Sequence, residues 1–292
     1  RELTLQKDSE IYQPKQIDRI ASDILNTVAF TIVSNDLFMP WAKFEKGGYE
    51  YVKDRGYVFE KQFNENTGSI LDKTLNDYKT IEQNAQIPLM FITPSIVNDG
   101  RRMIISSQPI SYMMAAPIGV EIPHSVGIDA VDFGRLFEKQ DAGNLQFTTA
   151  LRMNATYPYI LPNVYLPTSP RIEVMDAGFR DNFGIKSATR FIHVFEDWIR
   201  ENTGGVVMVI VRAYDREKEI KSSEKEGIFE SIFNPLGIAG KVLTLQDFEH
   251  DTSLGFLYNL LGKENLPFNF TINIYYDNII YYIFIIIENI NY

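Results

Sequence analysis

Apolar residues at Ile17, Ile20, Ala21, Ile24, Leu25, Val28 and Ala29 recur in alternating steps of three and one, which is one face of a helix entered from Pro14. A second helical stretch carries Ile70, Leu71, Thr74, Leu75, Tyr78 and Ile81, entered from Asn66-Thr67-Gly68 and stopped before Pro88. The aromatic, charged stretch between them, Trp41 to Phe63, reads as loop and short helix. The period then changes. Pro88 to Thr93 and Arg102 to Ser106 are short apolar runs around Asn98-Asp99-Gly100-Arg101, a turn with the positive-φ residues that a β-hairpin requires.

Residues 107 to 146 are mixed, with turn signals at Pro117, Pro123 and Gly143-Asn144 and a short helix around Phe133 to Phe137. Phe147 to Asn154 is helical in pattern and ends ahead of Tyr157-Pro158 and Leu161-Pro162. A strand, loop, helix, strand unit follows. Arg171 to Met175 is the strand, Asp176 to Phe183 the loop, and Ile185, Ala188, Ile192, Phe195 and Ile199 the buried helical stripe. Asn202-Thr203-Gly204-Gly205 closes the helix, and Val206 to Val211 is an unbroken apolar run of the kind found where a strand is covered on both faces, as in a parallel sheet. The fold class is α/β, with helices on both sides of a sheet. The end of the chain is compositionally separate, because seventeen of the twenty residues from Asn273 to Tyr292 are Ile, Tyr or Asn. Two readings stand: a last buried strand, or a tail that is not native coding sequence, residues 273 to 292, set apart from residues 1 to 272. Left exposed, it would invite aggregation.

Composition narrows the chemistry. The chain has 292 residues, 45% hydrophobic and 23% charged, enough to bury a sizeable core. With 28 basic and 38 acidic side chains the formal charge is −10, and no local basic stripe offsets it, so nucleic acid is not an expected partner. The absence of cysteine removes disulfides, iron–sulfur clusters, thiolate zinc sites and a thiol nucleophile. No run reaches the roughly 18 to 20 apolar residues of a membrane span. With no span and no basic or amphipathic anchor, the expected location is the cytoplasm or the periphery of a membrane.

The most informative stretch is Met175-Asp176-Ala177-Gly178-Phe179-Arg180-Asp181-Asn182-Phe183-Gly184. Asp176 follows the carboxyl end of an inner strand, the edge where open α/β sheets place ligands. Small residues at Ala177 and Gly178 let the backbone turn and leave the carboxylate uncovered, able to take a proton from a hydroxyl or from water. The structural alternative is a strand-end turn in which Asp176 caps the next helix or bonds its own backbone. Other constellations are weaker. Glu121, His124, Asp129 and Asp132 share neither a helix face nor a metal-ligand spacing, so no metal is expected. His193 reads as a helix-surface or boundary residue, and His250 with Asp251 as a cap neighbour beside a helix start. Phosphate-binding glycine loops are missing, so no cofactor is expected.

Asp176-Ala177-Gly178 with Asn182, preceded by Thr149 to Pro158 and Leu161-Pro162, resembles the Asp-Gly-Gly or Asp-Gly-Ala block and upstream helix of the patatin-like phospholipases. The hairpin of Pro88 to Ser106 resembles the strand pair that precedes this block in the family, and Leu243-Thr244-Leu245-Gln246-Asp247 a later helix of its larger bacterial members. The resemblance covers roughly residues 1 to 260. It implies a three-layer α/β/α domain with a mostly parallel central sheet. It also implies hydrolysis of lipid acyl esters by a Ser–Asp dyad, without cofactor, with possible peripheral contact to a membrane. The aspartate maps onto Asp176, supported by Ala177, Gly178 and Asn182.

The nucleophile does not map. An elbow requires Gly-x-Ser-x-Gly, yet Ser69 lies between Thr67 and Leu71, Ser125 between Pro123 and Gly127, and Ser253 between Asp251 and Gly255. Gly47-Gly48 is isolated and makes no oxyanion loop. The expectation is therefore a C-terminal portion of such a hydrolase, downstream of its serine and lacking the first strands of its sheet, and inactive as it stands. Loss of the nucleophile alone costs on the order of 10⁶ in turnover. The competing expectation is a catalytically inactive α/β domain that binds lipid or protein through the aromatic stretch Trp41 to Phe63. It is separated from the first by whether the isolated chain stays monomeric and unfolds in one sharp transition.

Overall fold

The computed structural model describes residues 2–5, 18, 28, 30–31, 42–46, 49–114, 128–156, 160–212, 245–246 and 249–261, together with the backbone of 268–275 and 283–287. The chain divides into two compact units. One comprises Arg1–Asp99, Met103–Ser111 and Asp132–Asp176, and the other Gly100–Arg102, Tyr112–Val131 and Ala177–Tyr292. The helix read from Pro14 to Ala29, the turns at Pro117 and Pro123, and Gly47-Gly48 lie outside the described residues.

In the first unit, α1 (Glu2–Leu5) is followed by a two-stranded antiparallel ribbon, β1 (Lys43–Lys46) with β2 (Tyr49–Val52). Helix α2 (Arg55–Asn66) comes next, capped by Asp54, whose carboxylate accepts the Tyr57 N–H at 2.9 Å. The stretch expected to be loop and short helix is thus a hairpin and a three-turn helix. Of its aromatics, Phe59 and Phe63 are half-buried and stack on one another. Arg152 reaches α2 from α5 (Phe147–Met153) and pairs with Asp54 and with Glu60, while the Thr149 hydroxyl donates to Glu60 at 2.7 Å.

Asn66-Thr67-Gly68, read as a helix entry, is the exit of α2. Gly68 adopts φ 72° and Ser69 φ 61°, the left-handed geometry in which glycine stops a helix. Helix α3 (Leu75–Gln83) therefore begins one turn later than the apolar spacing predicts. The Asp77 carboxylate receives the N–H and hydroxyl of Thr74 at 2.7 and 2.9 Å, and the backbone bond is the main reason its carboxyl lies below the usual range. Tyr78 and Phe147, both buried, meet at 4.9 Å between ring centroids.

A five-stranded sheet has the order β5-β4-β3-β7-β6. Its strands are β3 (Ser95–Ile96), β4 (Arg102–Ile104), β5 (Ala130–Asp132), β6 (Val164–Leu166) and β7 (Ile172–Met175). The hairpin around Gly100 is present, and Gly100 takes φ 73° at its turn. Its first strand, β3, lies beyond the run Pro88 to Thr93, and that run meets the second through an antiparallel bridge of Ile92 with Ile105. Helix α4 (Phe133–Leu136) starts where β5 ends, its N–H of Arg135 bound to Asp132.

In the second unit, α6 (Gly178–Asp181), α7 (Ile185–Val194) and α8 (Glu196–Asn202) lead into β8 (Val206–Arg212). The predicted single helix breaks at Phe195, and the predicted loop contains the one-turn α6. Gly184, at φ 69°, supplies the left-handed step between α6 and α7. Ile185, Ala188, Ile192 and Ile199 form the anticipated stripe and pack with Phe183, Val206, Met208 and Ile210 and with Leu257 and Leu261 of the helical stretch 249–261. β8 lies between β10 (Ile283–Ile287), antiparallel to it, and β9 (Phe268–Tyr275), parallel to it. Two backbone segments of the Ile/Tyr/Asn-rich end are therefore strands.

The α/β class holds, whereas a mostly parallel sheet does not describe these residues. β8 with β9 is parallel, but β3 with β7, β6 with β7, β1 with β2 and β10 with β8 are antiparallel. The reason is local: β6 and β7 are joined by five residues, too few for the crossover that a parallel neighbour needs. Alternation along β8, with Val206, Met208 and Ile210 buried and the residues between them half-buried, reflects one fully covered face. No helix among the described residues is long and apolar enough to cross a membrane. Ile192→Ala should cost about 3 kcal/mol, read as a lowered denaturant midpoint, because the fully buried side chain leaves a cavity under α7.

Candidate functional site

Asp176 is the first residue after β7 and the last of the first unit. Its main chain is held from two sides. The Asp176 N–H donates to the Thr156 carbonyl at 3.3 Å, and its own carbonyl accepts the Ser95 hydroxyl at 2.8 Å. Thr156 follows α5, and Ser95 belongs to β3, the antiparallel neighbour of β7 whose register pairs Ser95 with Met175. Both partners are buried, while Asp176 itself is half-buried. Asn154, two residues before Thr156, accepts the Thr93 N–H at 2.9 Å and ties the end of α5 to the segment entering β3. The upstream block therefore contacts the aspartate through backbone geometry. Tyr157 and Pro158 lie outside the described residues.

The supporting residues occupy the second unit. Ala177 is buried, and its carbonyl accepts from the N–H groups of Arg180 and Asp181 at 3.0 and 2.8 Å, which makes α6 a tight turn. The Gly178 carbonyl accepts Nε2 of Gln246 at 2.6 Å, and the Asn182 N–H donates to Oε1 of the same side chain at 3.0 Å.

Asp181 has a different life from Asp176. It is 1% exposed and accepts the N–H of Lys186 at 2.9 Å, the N–H of Ser187 at 2.8 Å and the Ser187 hydroxyl at 2.7 Å, so it caps α7. Its remaining neighbour is Arg102, 1% exposed, whose Nη1 lies 3.6 Å from Asp181 and donates to Ser187 Oγ at 2.9 Å. Nη2 of Arg102 reaches Asp129 at 3.3 Å. Asp129 is also gripped by both guanidinium nitrogens of Arg190, one at 2.7 Å, and Arg190 donates to the Met113 carbonyl at 2.8 Å. Burial pulls the Arg102 guanidinium below its ordinary range, opposed by Asp181 and Asp129. Burial pushes the Asp129 carboxyl up, but hydrogen bonds from Arg190 and the charge of Arg102 outweigh this and hold it low.

Neither Asp129 nor Asp132 is arranged as a metal ligand. Asp129 serves two arginines, and Asp132 accepts the Ser111 hydroxyl at 2.9 Å and caps α4. Among the described residues no group of three ligating side chains converges; Glu121 and His124 fall outside them. His193 stacks edge-on against Phe256, as a boundary residue would. His250 is a correction: it is fully buried and lies edge-on against Phe183, because it faces the core from inside the helical stretch. Ser69 occupies the left-handed turn after α2, and Ser253 donates to the Glu249 carbonyl at 3.1 Å, while Ser125 lies outside the described residues.

Sequence reasoning reads Asp129 only against a metal site and Asp181 and Gln246 only as members of longer stretches, and it misses Arg102, Arg190 and Ser95. Only Asp181 left a local trace, an acidic residue just before a helical stripe; Arg102 reads as the polar start of an apolar strand, with partners 27 and 85 residues away. No family model matches this chain, and no curated protein or solved structure matches it.

Two consequences are measurable. Asp181→Asn should destabilise by about 3 kcal/mol in denaturant, because it strips the counter-charge from a buried arginine, whereas Asp176→Asn should cost less than about 1 kcal/mol. Because the Asp129 carboxyl is depressed in the folded state, its contribution is fully present above the ordinary value of 3.8 and is lost as pH falls below it. Asp129→Asn should therefore flatten that acid limb of a stability-against-pH curve.

Proposed function

We propose that this chain is part of a lipid acyl hydrolase of the patatin-like kind, in which Asp176 is the general base. The observation that carries the reading is the unequal burial of the two aspartates in one block. Asp181 is closed off and spent on α7 and Arg102, while Asp176 is half-buried at a strand end with its main chain anchored by Thr156 and Ser95. Anchoring of the backbone without enclosure of the residue is what a positioned base needs.

In this reading a serine hydroxyl gives its proton to the Asp176 carboxylate as its oxygen attacks the ester carbonyl. The tetrahedral adduct then expels an alkoxide that recovers the proton, and water repeats the sequence on the acyl-serine. The serine is one that these 292 residues do not carry in a Gly-x-Ser-x-Gly setting. Ser95 does not substitute for it: it is buried on a strand, and its hydroxyl is bound to the Asp176 main-chain carbonyl. The three-layer arrangement, a mostly parallel sheet in the intact domain and contact with a membrane surface belong to the same proposal.

The test uses a protein that joins this chain to a Gly-x-Ser-x-Gly serine, assayed on a p-nitrophenyl acyl ester. Asp176→Asn should lower turnover roughly 10⁴-fold with an unchanged thermal midpoint. Turnover within a few-fold of the parent would remove Asp176 from the chemistry.

A further inference from the structure

The side-chain amide of Gln246 bridges the two ends of a single helical turn. Its Nε2 donates to the Gly178 carbonyl at 2.6 Å and its Oε1 accepts the Asn182 N–H at 3.0 Å; Gly178 and Asn182 are four residues apart, the spacing of one α-helical hydrogen bond. Gln246 is buried and comes from 64 residues further along the chain. The two contacts fix which end of the amide is oxygen, because a peptide carbonyl only accepts and a peptide N–H only donates. They also fix the residue type. An ionised glutamate cannot donate, methionine does neither, and asparagine is one methylene shorter.

What this clasp holds is the turn that follows Asp176 with only Ala177 between. The Ala177 carbonyl is already engaged by Arg180 and Asp181, so the backbone leaving the aspartate has little freedom once Gly178 and Asn182 are held. At its far end Asp181 is locked to the first turn of α7. The clasp is thus a long-range side-chain bridge between the Gly178–Asn182 turn and the C-terminal segment. The four residues of α6 have too few internal bonds to fix themselves.

We propose that Gln246 is a positioning residue for Asp176, acting through the turn it clasps; this rests on the reading of Asp176 as the reacting carboxylate. The experiment uses the full chain and needs no turnover. Amide exchange at Asn182 and at Met208 of β8, and the titration of the Asp176 carboxyl followed by carbon NMR, are compared in the parent, Q246M and Q246E. Q246M should speed Asn182 exchange roughly 10-fold, leave Met208 unchanged and move the Asp176 titration midpoint.

In Q246E the protonated carboxyl accepts from Asn182 and donates to Gly178, whereas the ionised carboxylate meets the Gly178 carbonyl oxygen with no proton between them and is repelled out of the clasp, away from Asn182. Parent-like protection should therefore hold below its titration and be lost above it, with the Asp176 titration restored and displaced in step. If Q246M loosens Met208 as well, this pH-dependent rescue in Q246E decides the matter. Asn182 exchange unchanged in both variants, or faster exchange with the Asp176 titration unmoved, overturns the proposal. Retained hydrolysis in the Asp176→Asn protein would instead remove the base and leave the clasp standing.

Discussion

A guanidinium with 1% of its surface in contact with solvent must be matched by negative charge, and that requirement organises the second unit. Arg102 takes Asp181 on one side and Asp129 on the other, with Ser187 accepting between them and Arg190 completing the hold on Asp129. Leaving out any one carboxylate would strand a buried cation, whose effective desolvation penalty is several kcal/mol. The arrangement joins the start of β4, the segment before β5 and the first turn of α7. These are pieces far apart in sequence, and hydrophobic contact alone does not orient them, because it is non-directional.

That demand also decides what the Asp176 to Asn182 block can do. Two aspartates five residues apart invite the same chemical reading, yet one is consumed by structure. Asp181 satisfies two otherwise orphaned N–H groups of α7 and part of the Arg102 charge, leaving no capacity for a reacting proton. Asp176 has a different support. Its backbone N–H and carbonyl are bound by Thr156, after α5, and by Ser95 of β3, which fix where the end of the strand lies. The cap of α7 comes from Asp181, whereas the sequence pattern allows a capping role for Asp176.

Elements with a strong local period were legible. The stripe of α7 and α8, the strand β7 with Asp176 at its end, the helix α5 and the hairpin turn at Gly100 all follow from spacing or from glycine's positive φ. The misread places share a cause. Thr67-Gly68 marks a helix boundary without saying which side the helix lies on, and Trp41 to Phe63 holds Glu60, whose partners Arg152 and Thr149 come from α5, about 90 residues on. The Val206 to Val211 run suggested parallel neighbours on both sides, but strand direction depends on connections rather than on composition. The contacts of Arg102 and the Gln246 clasp were invisible because their bonds span from 27 to 85 residues, beyond any periodic signal.

The central claim is a division of labour between two neighbouring carboxylates, and selective chemical labelling reads it directly. The folded chain is treated with a water-soluble carbodiimide and an amine, and modification at Asp176 and at Asp181 is followed over time by peptide mass spectrometry. The account predicts that Asp176 is modified while the fold persists and that Asp181 reacts only on the timescale of unfolding. Equal rates at the two positions, or protection of Asp176 to the same degree as Asp181, would contradict it.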